Sequence, residues 1–385
     1  MFYIYLQTLC EFYMKIQHCL LKNSDIAPSK SRKTIIYKNR PMKDLILVTG
    51  GTGFIGSHTT VELIEAGYEV VIVDNLSNSN ANVLDGIEKI TGVRPNLEVV
   101  DCTDYEGMKA VFIKYRNIQA AIHFAASKAV GESVEKPLLY YRNNLVSLIN
   151  ILQLMSEFQT KGFVFSSSCT VYGQPDVLPV TENAPVKPAM CPYGNTKQIA
   201  EEIIHDNDFA GATFKSVILR YFNPIGAHPT AEIGELPLGV PQNLVPLVTQ
   251  AAAGIRPALK VFGNDYNTPD GSCVRDYINV VDLAKAHVIA VKRLLEDKCL
   301  KSVEVFNLGT GRGLSVLEIL RTFEKVTGVK LNYNIVERRA GDIEQVWANP
   351  DFANNVLGWK AETSVEETLL SAWKWQQRLC EKEKK

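Results

Sequence analysis

The chain has 385 residues, a formal net charge of −1, eight scattered cysteines and six histidines. That length allows a large core and two domains, or one domain with an elaborate insertion. The balanced charge gives nucleic acid or an anionic membrane surface no electrostatic hold. With no Cys-x-x-Cys pair and no histidine cluster, neither a metal site nor a disulfide framework is expected. Free thiols in an enzyme-like chain point to a reducing, cytoplasmic setting.

Residues 1–41 differ in texture from the rest of the chain. Met1–Leu21 mixes Phe, Tyr, Ile and Leu with Gln7, Glu11, Lys15 and Gln17, and the next stretch to Pro41 is polar and basic. There is no uninterrupted apolar run for a signal peptide or a membrane span. A disordered or artefactual extension is expected, with Met42 as an alternative start. An amphipathic membrane-contact helix is the competing reading.

From Asp44 onward short apolar runs alternate with helical stretches. Leu45–Val48, Val70–Val73, Leu97–Val100, Ala120–Phe124, Gly162–Phe165 and Ser216–Leu219 carry little polar alternation, as strands buried on both faces do. A helix over Ile55–Glu65 is expected to stop at Gly67. The repeated strand–helix order predicts a doubly wound α/β fold with a parallel Rossmann sheet. After Tyr221 the crowding of Pro224, Gly226, Pro229, Gly234, Pro237, Gly239 and Pro241 marks a long connection into a smaller, irregular part. The predicted partition is 42–222 for dinucleotide binding, with 270–297 returning to it, and 223–269 with 298–385 for substrate.

The first strand runs straight into Gly50-x-x-Gly53-x-x-Gly56 and then a helix. Glycines permit the tight turn and close approach of a pyrophosphate, while the helix N-terminus supplies amide donors and a positive dipole end. Asp74 ends the second strand, where an acid can accept from an adenosine ribose and repel a 2′-phosphate, so NAD is favoured over NADP. A second glycine cluster, Gly309-Thr310-Gly311-Arg312-Gly313, follows the strand-like run Val303–Leu308. No acid-terminated strand succeeds it, so it is read as a structural turn.

Tyr193–His205 reads as a helix entered after Pro192. Residues four apart share a helix face, so Tyr193 and Lys197 can reach one bound group. A tyrosine must drop by about 3 pH units, roughly 4 kcal/mol, to act as a base near neutrality. An ammonium at about 4 Å offers that much at an effective dielectric of about 20. Ser168, at the end of its strand, can hydrogen-bond both the phenol and a substrate alcohol.

These residues, with the stretches Val48–His58, His123–Ser133, Arg220–Pro224, Val274–Ile278 and Arg338–Asp342, resemble the UDP-glucose 4-epimerase family of extended short-chain dehydrogenases/reductases. The resemblance covers Met42 to about Gln377. It implies NAD contacts from Phe54 and Ile55, from Asp74 with Asn75, Leu76, Ser77, Asn78 and Ser79, and from Asp101 and Cys102. It further implies contacts from Phe124, Ala125, Ala126, Ser127 and Lys128, and from Asn143, Tyr193, Lys197 and Phe222. A UDP-hexose substrate would meet Ser168, Tyr193, Asn223, Asn243, Leu244, Lys260, Val261, Phe262, Arg275, Arg339 and Asp342, the two arginines being suited to a diphosphate. The resemblance also implies retained NAD, inversion at C4 through a transient 4-keto sugar, and a homodimer built on paired helices.

Two positions depart from the family pattern. Cys169 stands where alanine is common. Val346 stands where members restricted to glucose and galactose resemble one another in having tyrosine, which would admit N-acetylated UDP-hexosamines. Dehydratases related to the family carry an Asp-Glu pair where this chain has Ser168-Cys169, so it lacks their acid for eliminating water. An epimerase of another nucleotide sugar such as UDP-glucuronate, with Lys128 or Lys260 meeting its carboxylate, is the alternative within enzymes. An inactive NAD-binding scaffold is the alternative outside them.

Overall fold

Seven parallel strands form the central sheet: β1 (Leu45–Thr49), β2 (Glu69–Asp74), β3 (Asn96–Val99), β4 (Ile118–His123), β5 (Gly162–Ser168), β6 (Lys215–Tyr221) and β7 (Val303–Leu308), in spatial order β7-β6-β5-β4-β1-β2-β3. The computed structural model describes residues 43–339 and 342–383, and the sequence reading of 1–41 lies outside them. Adjacent residues of each strand enter different cores, as strand geometry requires. Ile46, Val48, Ile72, Ile122 and Val164 lie in one, and Leu47, Val71, Ala121, Phe163 and Phe165 in the other. Both faces are therefore apolar, which is why these strands lack polar alternation.

Four helices position the site: α1 (Phe54–Glu65), α2 (Pro137–Glu157), α3 (Pro192–Phe209) and α4 (Val280–Leu295). Gly67, with φ +95°, follows the last turn of α1, matching the expected stop. The predicted helix at 193–205 begins one residue earlier, with Pro192 in the first turn where its missing N–H costs nothing, and runs on to Phe209. Leu283, Ala286, Ala290, Val291 and Leu294 of α4 enter the first core.

The partition needs one correction. Val303–Leu308, placed with the substrate part, pairs in parallel register with β6 as an edge of the main sheet, and Ala353, Leu357 and Trp359 enter the same core as α4. A six-residue run with five fully or nearly buried positions satisfies its backbone most completely by extending an existing sheet.

The rest of the C-terminal part is built from short pairings. Residues 223–225 pair with 277–279, 274–275 lie between 314–315 and 345–346, and 259–262 pair with 333–336. Helices at 244–252, 316–327 and 365–383 surround a third core that includes Val248, Ile319, Phe323 and Leu369.

Candidate active site

Sequence neighbours diverge in the sheet between β1 and β4, and a crevice at the carboxyl ends of strands flanking such a switch point is where α/β sheets take ligands. The β1–α1 loop and the loop after β4 meet there. A Cβ on Gly50 would lie 2.8 Å from the Ala125 amide nitrogen, and one on Gly56 would lie 2.3 Å from the Gly50 carbonyl oxygen. Only glycine fits at either place. Helix α1 starts with no side-chain cap and no acidic residue in its first turn, so its amides remain available to an anion.

Asp74 closes the other side of this cradle. One oxygen accepts from the Leu76 amide (2.9 Å) and the Ser79 hydroxyl (3.0 Å), the other from the Thr52 amide (3.2 Å). An ionised carboxylate still has capacity for a ribose hydroxyl, and its fixed negative charge opposes a 2′-phosphate. Asn75 donates to Asp101 (2.9 Å) and its side-chain oxygen accepts from the Ser77 amide (3.0 Å), while Asn78 is exposed and Cys102 buried beside them. Across the crevice, Asn144 accepts from the Ser127 amide (2.8 Å), Asn143 donates to the Ser127 hydroxyl (3.1 Å), and Phe124 packs on His287 at 4.8 Å. Lys128 lies 3.9 Å from Glu235. The donor set and the glycine cradle fit a dinucleotide.

Ser168 ends β5 with its hydroxyl accepting from the Thr170 amide at 3.2 Å, and it lies close enough to the Tyr193 phenol to favour its ionised form. Lys197 is 5% exposed, with Nζ 6.0 Å from the centre of the Tyr193 ring. Thus the three residues converge, at the end of a strand one position from the switch point. Their electrostatics differ from the sequence argument. The Lys197 ammonium donates to the Ser166 carbonyl at 2.6 Å, a partner the sequence argument did not include. Tyr193 as a whole is half-buried, but desolvation of its hydroxyl outweighs the influence of Ser168 and pushes the phenol up. Burial, partly opposed by Glu201, brings Lys197 down to about 8. Lys197 by itself is therefore insufficient, and a phenolate near neutrality needs further positive charge.

The residues implied for substrate lie on the C-terminal part. Asn223 sits in the short strand at 223–225, and Phe222, Cys169 and Val346 share a small apolar cluster next to Ser168. Arg275 donates to the carbonyls of Val274 (2.9 Å) and Glu344 (3.4 Å) and stands opposite Val346 in register. Asn243 precedes the helix begun by Leu244 and donates to Glu235 at 2.5 Å. Lys260 is exposed and Val261 buried in the strand at 259–262, whose Phe262 ring lies 5.4 Å from the Arg339 guanidinium. Arg339 and Asp342 pair with each other at 2.7 Å.

Other proteins resemble this chain in sequence and in fold. A family profile described as GDP-mannose 4,6 dehydratase matches residues 47–371. UDP-glucose 4-epimerase 2 of Arabidopsis thaliana is 49% identical over 337 residues, spanning 87% of this chain and 95% of that protein. The Homo sapiens UDP-glucose 4-epimerase is 47% identical, over 88% and 97%. The crystal structure of the Bifidobacterium longum UDP-glucose 4-epimerase, in complex with NAD+ and UDP, superposes with a TM-score of 0.83 at 45% identity, over 87% of this chain and 98% of that one. This chain belongs to the UDP-glucose 4-epimerase family.

The sequence reading missed a buried network behind Ser168, Tyr193 and Lys197. Glu201, one turn after Lys197, receives Arg220 through Nε (2.9 Å) and Nη2 and also the Ser167 hydroxyl. Arg220 donates to Tyr172 (2.9 Å), which donates to Asn307 (2.6 Å). The i, i+4 spacing of Lys197 and Glu201 was the available signal. Tyr221 and Ser166 hydrogen-bond each other beside it. Among the described residues, no group of three or more His, Cys, Asp or Glu is placed to hold a metal, and no helix is long and apolar enough to cross a membrane.

Proposed function

We propose that this chain interconverts UDP-glucose and UDP-galactose by inverting the sugar at C4. The observation that carries the reading is the convergence of Ser168, Tyr193 and Lys197 beside a dinucleotide cradle in a member of this family. NAD, held by the glycine loop and Asp74, supplies a positively charged hydride acceptor that also returns the hydride. Tyr193 takes the proton of the 4-hydroxyl and gives it back, Ser168 orients the alcohol, and Lys197 adds positive charge near the phenol. Inversion requires the sugar to turn while the nucleotide stays fixed, so binding energy belongs on the non-reacting part. Asn223, Arg275 and Arg339 are the anchors. A coupled assay on UDP-galactose with no added NAD should show turnover by the protein as purified. No turnover of any nucleotide sugar by NAD-loaded protein would overturn the reading.

The Glu235 carboxylate beside Lys128 offsets the positive charge that an acidic sugar would need, which favours neutral hexoses over UDP-glucuronate. Val346 favours a wider sugar range. It is 2% exposed, packed with Cys169 and Phe222, and a valine leaves room that a tyrosine would fill. UDP-N-acetylglucosamine and UDP-N-acetylgalactosamine are therefore included as substrates. Val346→Tyr is expected to cut their turnover by about 10²-fold while sparing UDP-galactose. Wild-type protein active on UDP-galactose and inert on both N-acetylated sugars would remove this part.

A homodimer through α2 and α3, which expose Ile149 and Phe209, and a cytoplasmic role in galactose metabolism complete the proposal. Sedimentation of the full chain tests the first.

A further inference from the structure

The second glycine cluster holds a carboxylate that the catalytic reading does not use. Asp276 is fully buried. Its side chain accepts from the Thr310 amide (2.9 and 3.1 Å), the Thr310 hydroxyl (2.6 Å), the Gly311 amide (3.2 Å) and the Ala348 amide (3.2 Å). Its own carbonyl accepts from the Asn223 amide at 2.9 Å. A Cβ on Gly309 would fall 2.4 Å from Asp276 Oδ2, so a glycine is required for the turn to close on the acid. The cluster at 309–313 is thus a nest of donors around a carboxyl group belonging to the protein itself, which burial pushes up and these donors hold down.

Apart from the glycine turn itself, the segments tied to Asp276 adjoin residues proposed to meet substrate. Arg275 is the preceding residue, Val346 lies two before Ala348 and opposite Arg275, and Asn223 hangs on the Asp276 backbone. Only strand pairings of two or three residues join these segments otherwise, and a buried carboxylate with several donors is a strong way to fix their spacing. The glycine loop, Ser168, Tyr193 and Lys197 stand on β1–α1, β5 and α3, outside its hydrogen bonds.

We infer that Asp276 is a positioning residue for substrate, holding Arg275, Asn223 and the strand at Val346 in register so that the nucleotide diphosphate and sugar meet a preformed wall. This inference rests on the proposed function.

The test is UDP binding by calorimetry on NAD-loaded protein, together with steady-state kinetics on UDP-galactose. Asp276→Asn turns an acceptor into a donor against the nest. It is expected to weaken UDP binding and raise KM by about tenfold or more, with bound NAD retained and kcat within about threefold of wild type. Thr310→Val removes one hydroxyl donor and is expected to shift both about threefold in the same direction, and it remains informative if the Asp276 variant fails to fold. A purely structural role would lower melting temperature and active fraction while leaving KM unchanged in the folded population. Unchanged UDP affinity and KM in a folded variant overturn the inference while the proposed function stands. Failure of wild-type protein to bind UDP overturns both.

Discussion

Tyr193→Phe is expected to reduce kcat by about 10³-fold, with UDP affinity and bound dinucleotide retained. The substitution keeps the ring and removes only the phenol oxygen that faces Ser168. Because burial pushes this phenol up, the hydroxyl of the isolated site is protonated near neutrality, and every nearby cation matters for its release. Removing a cation disfavours the phenolate, so Lys197→Met is expected to move the acid limb of the kcat profile to higher pH. Lys197, brought down to about 8 by burial, carries that charge at neutral pH and below. Steady-state rates across pH with both variants check the pair. Near-wild-type epimerisation by Tyr193→Phe would remove the phenol from the mechanism.

Local rules made the cofactor half legible. A strand, a glycine run, a helix and an acid-ended second strand are consecutive in the chain, so period and spacing alone placed β1, α1 and Asp74 correctly. The same holds for Tyr193 and Lys197, four apart on one helix. Their interaction did not follow from spacing, because the ammonium turns to the Ser166 carbonyl, a group 31 residues away. Distance along the chain also hid the pairing of β7 with β6, which lies nearly ninety residues upstream, and the ties from Asp276 to Thr310 and Ala348. The glycines of 309–313 were visible as a turn, but what they enclose depends on a residue more than thirty positions earlier. Pairings of this kind are decided by the closed fold.

The Glu201–Arg220 pair carries the largest expected effect on stability. Their side chains are only 7% and 8% exposed, and the guanidinium engages both carboxylate oxygens. Removing one partner strands the other charge in a low-dielectric interior. Glu201→Ala should therefore lower unfolding free energy by about 3–5 kcal/mol. Replacing both with apolar residues of similar volume, Glu201→Leu with Arg220→Met, removes the stranded charge and is expected to recover most of that loss. Urea unfolding of both proteins and of wild type gives the comparison. A loss in the double variant equal to or greater than in the single one would show that the charge-assisted hydrogen bonds to neutral partners, Ser167 to Glu201 and Arg220 to Tyr172, carry the stability instead. Recovery of stability need not restore turnover. Glu201 also raises the proton affinity of Lys197 one turn away, and its link to Ser167 fixes the strand end that bears Ser168. A stable double variant with low kcat is the outcome expected if this buried charge is kept for the site more than for the fold.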